Sequence, residues 1–275
     1  MKQIRVKDFS IGSGPLFFIM GPCVIESEKA ALATLDELKR ITSDLKTPFV
    51  FKSSYDKANR TSVKSYRGPG IKEGLRILKK AKDEFDVPIL TDVHCKEDVA
   101  EVAEVADIIQ IPAFLCRQTD IIVETAKTGR VINIKKGQFI APPDMNQSVQ
   151  KALSTGNDNI ILTERGASFG YNNLVVDFRS LPIMRSFGYP VVFDATHSVQ
   201  IPGGMGTCSG GDRTMARHLA RAAVAVGVDG VFMEVHSDPD KALCDGPNSI
   251  DLKDVKGILE ELTGIDSLVK GFTRA

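Results

Sequence analysis

Pro48-Phe49-Val50-Phe51-Lys52-Ser53-Ser54-Tyr55-Asp56-Lys57-Ala58-Asn59-Arg60-Thr61-Ser62 joins two kinds of sequence at one point. Residues 48–51 form a short apolar run that reads as a buried strand. The next eleven residues, Lys52 to Ser62, hold three cations, five hydroxyls and an amide. A strand ending in a cluster of donors is how an α/β enzyme grips an anion, and a guanidinium such as Arg60 can fork onto two phosphate oxygens. A plain solvated loop is the competing reading. It is weakened because only Asp56 stands near Lys52 and Lys57 to compensate them. A helical pattern follows from Ile71 to Phe85, and the next apolar run begins at Pro88.

The same unit of apolar run, polar loop and helical pattern recurs on both sides. Leu16–Met20 precedes a helical Ala30–Leu45, and Pro88–Leu90 precedes Val99–Val105. Ile108–Ile111 precedes Thr119–Lys127, and Val131–Ile134 precedes Met145–Ser154. Asn159–Leu162 precedes a long loop and then Phe178–Phe187. Val191–Phe193 precedes Asp212–Val226, and Gly230–Met233 precedes Leu252–Leu262. Such alternation gives parallel strands with right-handed crossovers. Eight units with no Pro- or Ser-rich linker predict an α/β fold, a single (β/α)8 TIM barrel spanning residues 1–275. The alternating residues Lys2 to Ser10 are expected to form a short N-terminal β-hairpin closing the barrel bottom. An open doubly wound sheet would need a glycine-rich phosphate turn after the first strand. Gly21-Pro22-Cys23-Val24-Ile25-Glu26 is not one.

Composition narrows the partners. The 275 residues are 43% hydrophobic and 25% charged, ample for a large core. The 35 basic residues balance the 35 acidic ones, so no global field favours nucleic acid or an anionic membrane, and any anion site is local. The apolar runs are too short to span a bilayer, and Lys7 and Asp8 interrupt any signal-like N-terminus. Five scattered cysteines fit a reducing compartment. These features predict a cytoplasmic protein with no membrane and no nucleic-acid partner.

A barrel carries its active site at the C-terminal ends of its strands. The residues just past each apolar run are Cys23 and Glu26, then Lys52–Ser62, Asp92 and His94, and Gln110 with Pro112-Ala113-Phe114. The later runs end in Lys135 and Lys136, Glu164 and Arg165, Asp194 and His197, and Glu234 with His236 and Asp245. Two sets separate by chemistry. Lys52, Lys57, Arg60, Lys135 and Arg165 are cations converging on one mouth, which suits a ligand carrying several negative charges. Cys23, His197, Glu234 and Asp245 supply a thiol, an imidazole and two carboxylates, a donor set for zinc, iron(II) or manganese(II). Lys136 is weighed as an ion-paired interface residue. Cys95, Cys116, Cys208 and Cys244 are read as inert small hydrophobes, His94 as a partner for a carboxylate and His218 as structural.

Taken in order, several motifs resemble the 3-deoxy-D-manno-octulosonate 8-phosphate synthases, also called 2-dehydro-3-deoxyphosphooctonate aldolases. They are Phe51 to Ser62, Ser65-Tyr66-Arg67-Gly68-Pro69-Gly70, Thr91-Asp92-Val93-His94, Gln110 to Asp120, Asn133-Ile134-Lys135-Lys136, Glu164 to Tyr171, Asp194-Ala195-Thr196-His197 and Cys244-Asp245-Gly246-Pro247. The resemblance implies a (β/α)8 barrel, a homotetramer, and condensation of phosphoenolpyruvate with D-arabinose 5-phosphate for lipopolysaccharide precursor synthesis. It implies that Lys52, Ser54, Lys57, Gln110, Lys135 and Arg165 hold phosphoenolpyruvate. Asn59, Arg60 and Thr61 would hold the aldose. Lys52, Lys57, Lys135, His197 and Asp245 would form the catalytic set.

The branch of the family that works without metal looks like it has Asn where this chain has Cys23. The resemblance is therefore to the metal-dependent branch, with no organic cofactor, although Asp245-Gly246-Pro247-Asn248-Ser249 looks closer to the metal-independent loop. The related seven-carbon synthases, which use erythrose 4-phosphate, look like Lys-Pro-Arg-Thr-Ser where this chain has Lys57-Ala58-Asn59-Arg60-Thr61-Ser62. Asn59 thus favours the five-carbon sugar. A zinc-dependent ketose-phosphate aldolase and a non-catalytic sugar-phosphate-binding barrel are the other readings.

Overall fold

A computed structural model describes residues 1–12, 14–169, 173–204 and 209–273. Eight parallel strands follow one another around a closed sheet: β1 (Phe17–Gly21), β2 (Phe49–Lys52), β3 (Ile89–Asp92), β4 (Ile108–Ile111), β5 (Val131–Lys135), β6 (Ile160–Glu164), β7 (Val191–Asp194) and β8 (Gly230–His236). Closure is explicit, because Gly230 of β8 pairs with Val192 on one side and Phe17 on the other. An open doubly wound sheet is thereby excluded. Between and after the strands come α1 (Glu28–Asp44), α2 (Ile71–Phe85), α3 (Val99–Val105), α4 (Thr119–Lys127), α5 (Met145–Leu153), α6 (Ser180–Arg185), α7 (Arg213–Val226) and α8 (Val255–Thr273).

Local chemistry sets several of these boundaries. Ser27 caps α1 by accepting the Ala30 N–H at 3.2 Å, and Asp212 caps α7 by accepting that of Thr214 at 3.0 Å. The helix expected over Phe178–Phe187 shrinks to Ser180–Arg185. Pro182 has no N–H and is tolerated only near a helix start, so the helix begins just before it. The final helix runs well past Leu262, the end suggested by periodicity.

Strand alternation divides the core in two. On β2, Phe49 and Phe51 join the apolar layer beneath the helices, while Val50 points into the barrel. The inward layer holds Phe17, Ile19, Val50, Leu90, Ile108, Val131, Ile161, Val192 and Phe232. The expected hairpin forms from Ile4–Val6 and Phe9–Ile11, and it seals this layer from below with Ile4, Val6 and Ile11. With a period of two, the next inward residues are Gly21, Lys52, Asp92, Gln110, Asn133, Thr163, Asp194 and Glu234. The inside of the barrel therefore turns from apolar to polar in one step along almost every strand. Gly21 has φ 154°, and a Cβ there would come within 2.0 Å of the Lys52 carbonyl oxygen. Its lack of a side chain lets β1 and β2 close at the mouth.

Periodicity did not foresee the short strand Ile250–Asp251, which extends β8 in parallel and returns the Ser237–Ser249 loop over the mouth. Among the described residues, no helix is long and apolar enough to cross a membrane.

Candidate active site

The mouth opens into a cavity of about 330 Å³ lined by Lys52, Lys57, Asn59, Arg60, Thr61, Gln110, Lys135, Arg165, His197 and Asp245. Lys52 is only 1% exposed; its Nζ donates to the Cys23 carbonyl at 3.0 Å and to Glu234 Oε1 at 3.3 Å. Lys57 Nζ stands 3.6 Å from the same carboxylate oxygen. Lys135 Nζ lies 2.5 Å from Asp194 Oδ2 and 3.8 Å from the centre of the Phe232 ring. Arg165 donates to the His197 carbonyl at 3.3 Å and to Gln200 Oε1 at 3.0 Å. The converging cations are thus partly neutralised by buried carboxylates, and a polyanionic ligand has to compete with Glu234 and Asp194 for them. On sequence alone these cations called for a ligand to balance them.

Burial and charge pull these groups in different directions. Desolvation lowers the proton affinity of Lys135, and Lys52 and Arg165 lower it further against the opposing field of Asp194. Arg165 is lowered chiefly by burial as well. Lys57 is also desolvated, but Cys23, Glu234 and Asp92 outweigh that and raise it well above an ordinary lysine. Burial opposes ionisation of Glu234 and Asp194. Even so, His197 with Lys57 and Lys52 holds Glu234 below the usual carboxylate range, and His197 with Lys135 does so for Asp194.

The second expected set comes together as two trios that share Asp245, with Cys23 in one and His197 and Glu234 in the other. His197, Glu234 and Asp245 offer ligand atoms that all lie within 4.8 Å of one another, as do Cys23, Cys244 and Asp245. His197 Nε2 is 3.5 Å from Glu234 Oε1 and 3.9 Å from Asp245 Oδ2, and Cys23 Sγ is 3.3 Å from that same Oδ2. Ligands around one metal at bonds of about 2.0–2.3 Å are spaced similarly. Glu234 Oε2 is buried with no hydrogen-bond partner, an orphan that a cation would satisfy. His197 Nδ1 sits 2.8 Å from Asp194 Oδ2, the kind of outer carboxylate that orients a ligating imidazole. The residues fit a divalent metal. Asp245 has φ 51°, a left-handed conformation that Asp tolerates, and its carbonyl accepts from Asn248 and Ser249 at 3.0 Å each in the turn that carries it.

The remaining expected residues divide. Gln110 is buried and tied to Asn133 Nδ2 at 3.2 Å. Asn59 and Thr61 are exposed at the rim. Ser54 is fully buried, its hydroxyl bonded to Asp92 Oδ1 at 2.5 Å, and it does not line the cavity. Lys136 lies beneath the mouth against Glu164 Oε1 at 3.4 Å, as its ion-pair reading anticipated. His94 stands 3.9 Å from Asp92 Oδ2 and edge-on to Tyr55, while His218 is exposed on α7.

Cys244 needs correction. It is not an inert filler, since its Sγ lies 2.9 Å from Cys23 Sγ and receives Arg60 Nη1 at 2.6 Å. Its place beside Asp245 was the available signal. Cys95 is exposed rather than packed in a core, Cys116 is buried as expected, and Cys208 lies outside the described residues. Gln200 was missed altogether. It bridges Arg165 and Asp245, donating to Asp245 Oδ1 at 3.0 Å, and only its position three residues after His197 hinted at this.

Comparison with known proteins agrees with this geometry. The sequence pattern of the DAHP synthetase I family matches residues 2–270. A 2-dehydro-3-deoxyphosphooctonate aldolase of Geotalea daltonii is 61% identical over 271 residues, 98% of this chain and 100% of the relative. Proteins of the same name from Geobacter metallireducens and Geobacter sulfurreducens are 62% and 60% identical, covering 94% and 98% of this chain and 95% and 99% of their own lengths.

Proposed function

Because the chain belongs to the DAHP synthetase I family, we propose that it condenses phosphoenolpyruvate with D-arabinose 5-phosphate and water. The products are 3-deoxy-D-manno-octulosonate 8-phosphate, a lipopolysaccharide precursor, and inorganic phosphate. The observation that carries this is near-full-length identity of about 60% to aldolases of that name, with the cation-lined mouth in place.

In this reading residues 1–275 act as one catalytic barrel in the cytoplasm. Lys52, Lys57, Lys135, Arg165 and Gln110 hold the carboxylate and phosphate of phosphoenolpyruvate, with Ser54 supporting them through Asp92. Asn59, Arg60 and Thr61 hold the aldose phosphate. Carbon 3 of phosphoenolpyruvate attacks the aldehyde, water adds at carbon 2, and the bond from that carbon to the phosphate oxygen then breaks. No lysine forms a Schiff base. Fixing both substrates in one cavity removes much of the entropic barrier of a two-substrate reaction. The lysines and Arg165 stabilise charge as it moves onto carboxylate and phosphate. His197, held against Asp194 on its Nδ1 side, turns its Nε2 toward Glu234 and Asp245, where that nitrogen would serve as a metal ligand.

Cys23, His197, Glu234 and Asp245 would hold a divalent metal, zinc, iron(II) or manganese(II). When bound, it supplies Lewis acidity to an aldehyde or water oxygen. Phe114, Phe139 and Phe169 are exposed on successive loops of the mouth, which supports self-association, and a homotetramer is the expected assembly.

The test follows phosphoenolpyruvate consumption and phosphate release with D-arabinose 5-phosphate or erythrose 4-phosphate, before and after exhaustive chelation. Turnover with the five-carbon sugar that vanishes on chelation and returns with added metal is expected. Preference for erythrose 4-phosphate would move the chain to the seven-carbon reaction named by its family, and activity surviving chelation would remove the metal.

A further inference from the structure

We propose that Cys244 is itself a metal ligand, so that the cation is held by two thiolates, Cys23 and Cys244, with the carboxylates and imidazole around them. This rests on the divalent-metal reading above and extends its ligand set. Cys23 Sγ and Cys244 Sγ are 2.9 Å apart, and they lie 3.3 and 3.6 Å from Asp245 Oδ2. Asp245 therefore belongs to two trios at once, one with the cysteines and one with His197 and Glu234. Both cysteines are almost fully buried, at 4% and 3% exposure.

A thiol–thiol contact is a weak hydrogen bond and gives little reason to bury two sulfurs against a carboxylate. A shared cation gives one, because thiolates are strong ligands for zinc-like metals. Two sulfurs on one tetrahedral metal stand about 3.7 Å apart at metal–sulfur bonds of about 2.3 Å. The observed pair thus has to open by about 0.8 Å on loading. Arg60 Nη1 lies 2.6 Å from Cys244 Sγ. Ligation by Cys244 draws that sulfur toward the cation and frees the Arg60 guanidinium for a phosphate. A second thiolate also tilts selection toward zinc or cadmium and away from manganese or magnesium.

The test uses the full chain, reduced and stripped of metal, titrated with cobalt(II). Sulfur-to-cobalt charge-transfer absorption per bound ion counts thiolates. The wild type is expected to show about twice the intensity of Cys23→Ser or Cys244→Ser, with none in the double variant. A second readout needs only the wild type. Alkylation of Cys23 and Cys244 slows together by about ten-fold or more on loading, while exposed Cys95 labels equally in both states.

Equal intensity in wild type and Cys244→Ser, with Cys244 labelling unchanged, overturns the proposal and leaves a one-thiolate metal site. A Cys23–Cys244 disulfide that persists under reductant overturns it as well. Bound cobalt without any charge-transfer band overturns both this proposal and the role of Cys23. Phosphoenolpyruvate consumption measured on the same samples reports on the reaction separately and enters none of these counts.

Discussion

The two ends of the same eight strands differ as sharply as two different proteins. At the bottom, Val50, Leu90, Ile108, Val131, Val192 and Phe232 meet the hairpin residues Ile4, Val6 and Ile11 in a wholly apolar seal. Two residues further along each strand, the inward positions become Lys52, Asp92, Gln110, Asn133, Asp194 and Glu234, all nearly without exposure. The apolar end gains from burial at roughly 25 cal/mol per Å². The polar end bears the desolvation cost of buried charge, offset only where partners are well placed. Stability and chemistry are thus assigned to opposite ends of the barrel, and substitutions at the two ends are expected to read out in different observables.

The largest effect is expected from Lys135→Met. Removing a cation aimed at developing charge in a desolvated mouth is expected to lower kcat/KM by about 10²–10³-fold, or about 3–4 kcal/mol. Steady-state phosphoenolpyruvate consumption, with Tm measured alongside, checks it. A variant losing less than about three-fold would place the anion elsewhere in the mouth.

Intermediate in size is a pH effect at the same side chain. Burial, with Lys52 and Arg165 adding to it, holds Lys135 below an ordinary lysine. Anion binding needs the protonated amine, so affinity is full below that depressed pKa and falls as pH rises through it. The KM for phosphoenolpyruvate is therefore expected to climb, by up to about ten-fold per pH unit, beginning below the lysine reference of about 10.4. Arginine at this position is expected to move that limb to higher pH. A KM flat through the lysine range would mean that Asp194 outweighs the desolvation.

Much of this division was legible in the sequence. The eight apolar runs gave the barrel because strand and helix periods differ and alternate in order. Polar types at strand ends gave Lys52, Lys135, Arg165, His197 and Glu234, since side chains follow strand direction and barrels converge them. Contacts made by loops folding back were not legible. Cys244 reaches Cys23 across 221 positions, through the Asp245 turn and the added strand at Ile250–Asp251. Gln200 matters only because its amide spans Arg165 and Asp245, a geometry that no spacing encodes. Neutralisation of the cations by Glu234 and Asp194 was hidden for the same reason. It depends on which inward positions share a level of the barrel, a matter of stagger rather than pattern.

The smallest expected effect lies at the apolar end and probes the division from the other side. Ile4 is fully buried in the seal, against side chains from several strands. Ile4→Val removes one methylene there without adding polarity or changing β-branching, so the hairpin keeps its register with Ile11. The cost is expected to be about 1 kcal/mol, a fall of about 2–4 °C in Tm for a chain of this size. The lysines at the mouth lie beyond the Phe232 layer, so kcat/KM is expected to stay within about two-fold, since distant independent sites add. Differential scanning calorimetry and the phosphoenolpyruvate assay on one preparation separate the two quantities. A loss of activity comparable to that of Lys135→Met, with Tm unchanged, would mean that the hairpin transmits to the mouth. A fall in Tm with activity intact keeps sealing and chemistry at separate ends of each strand.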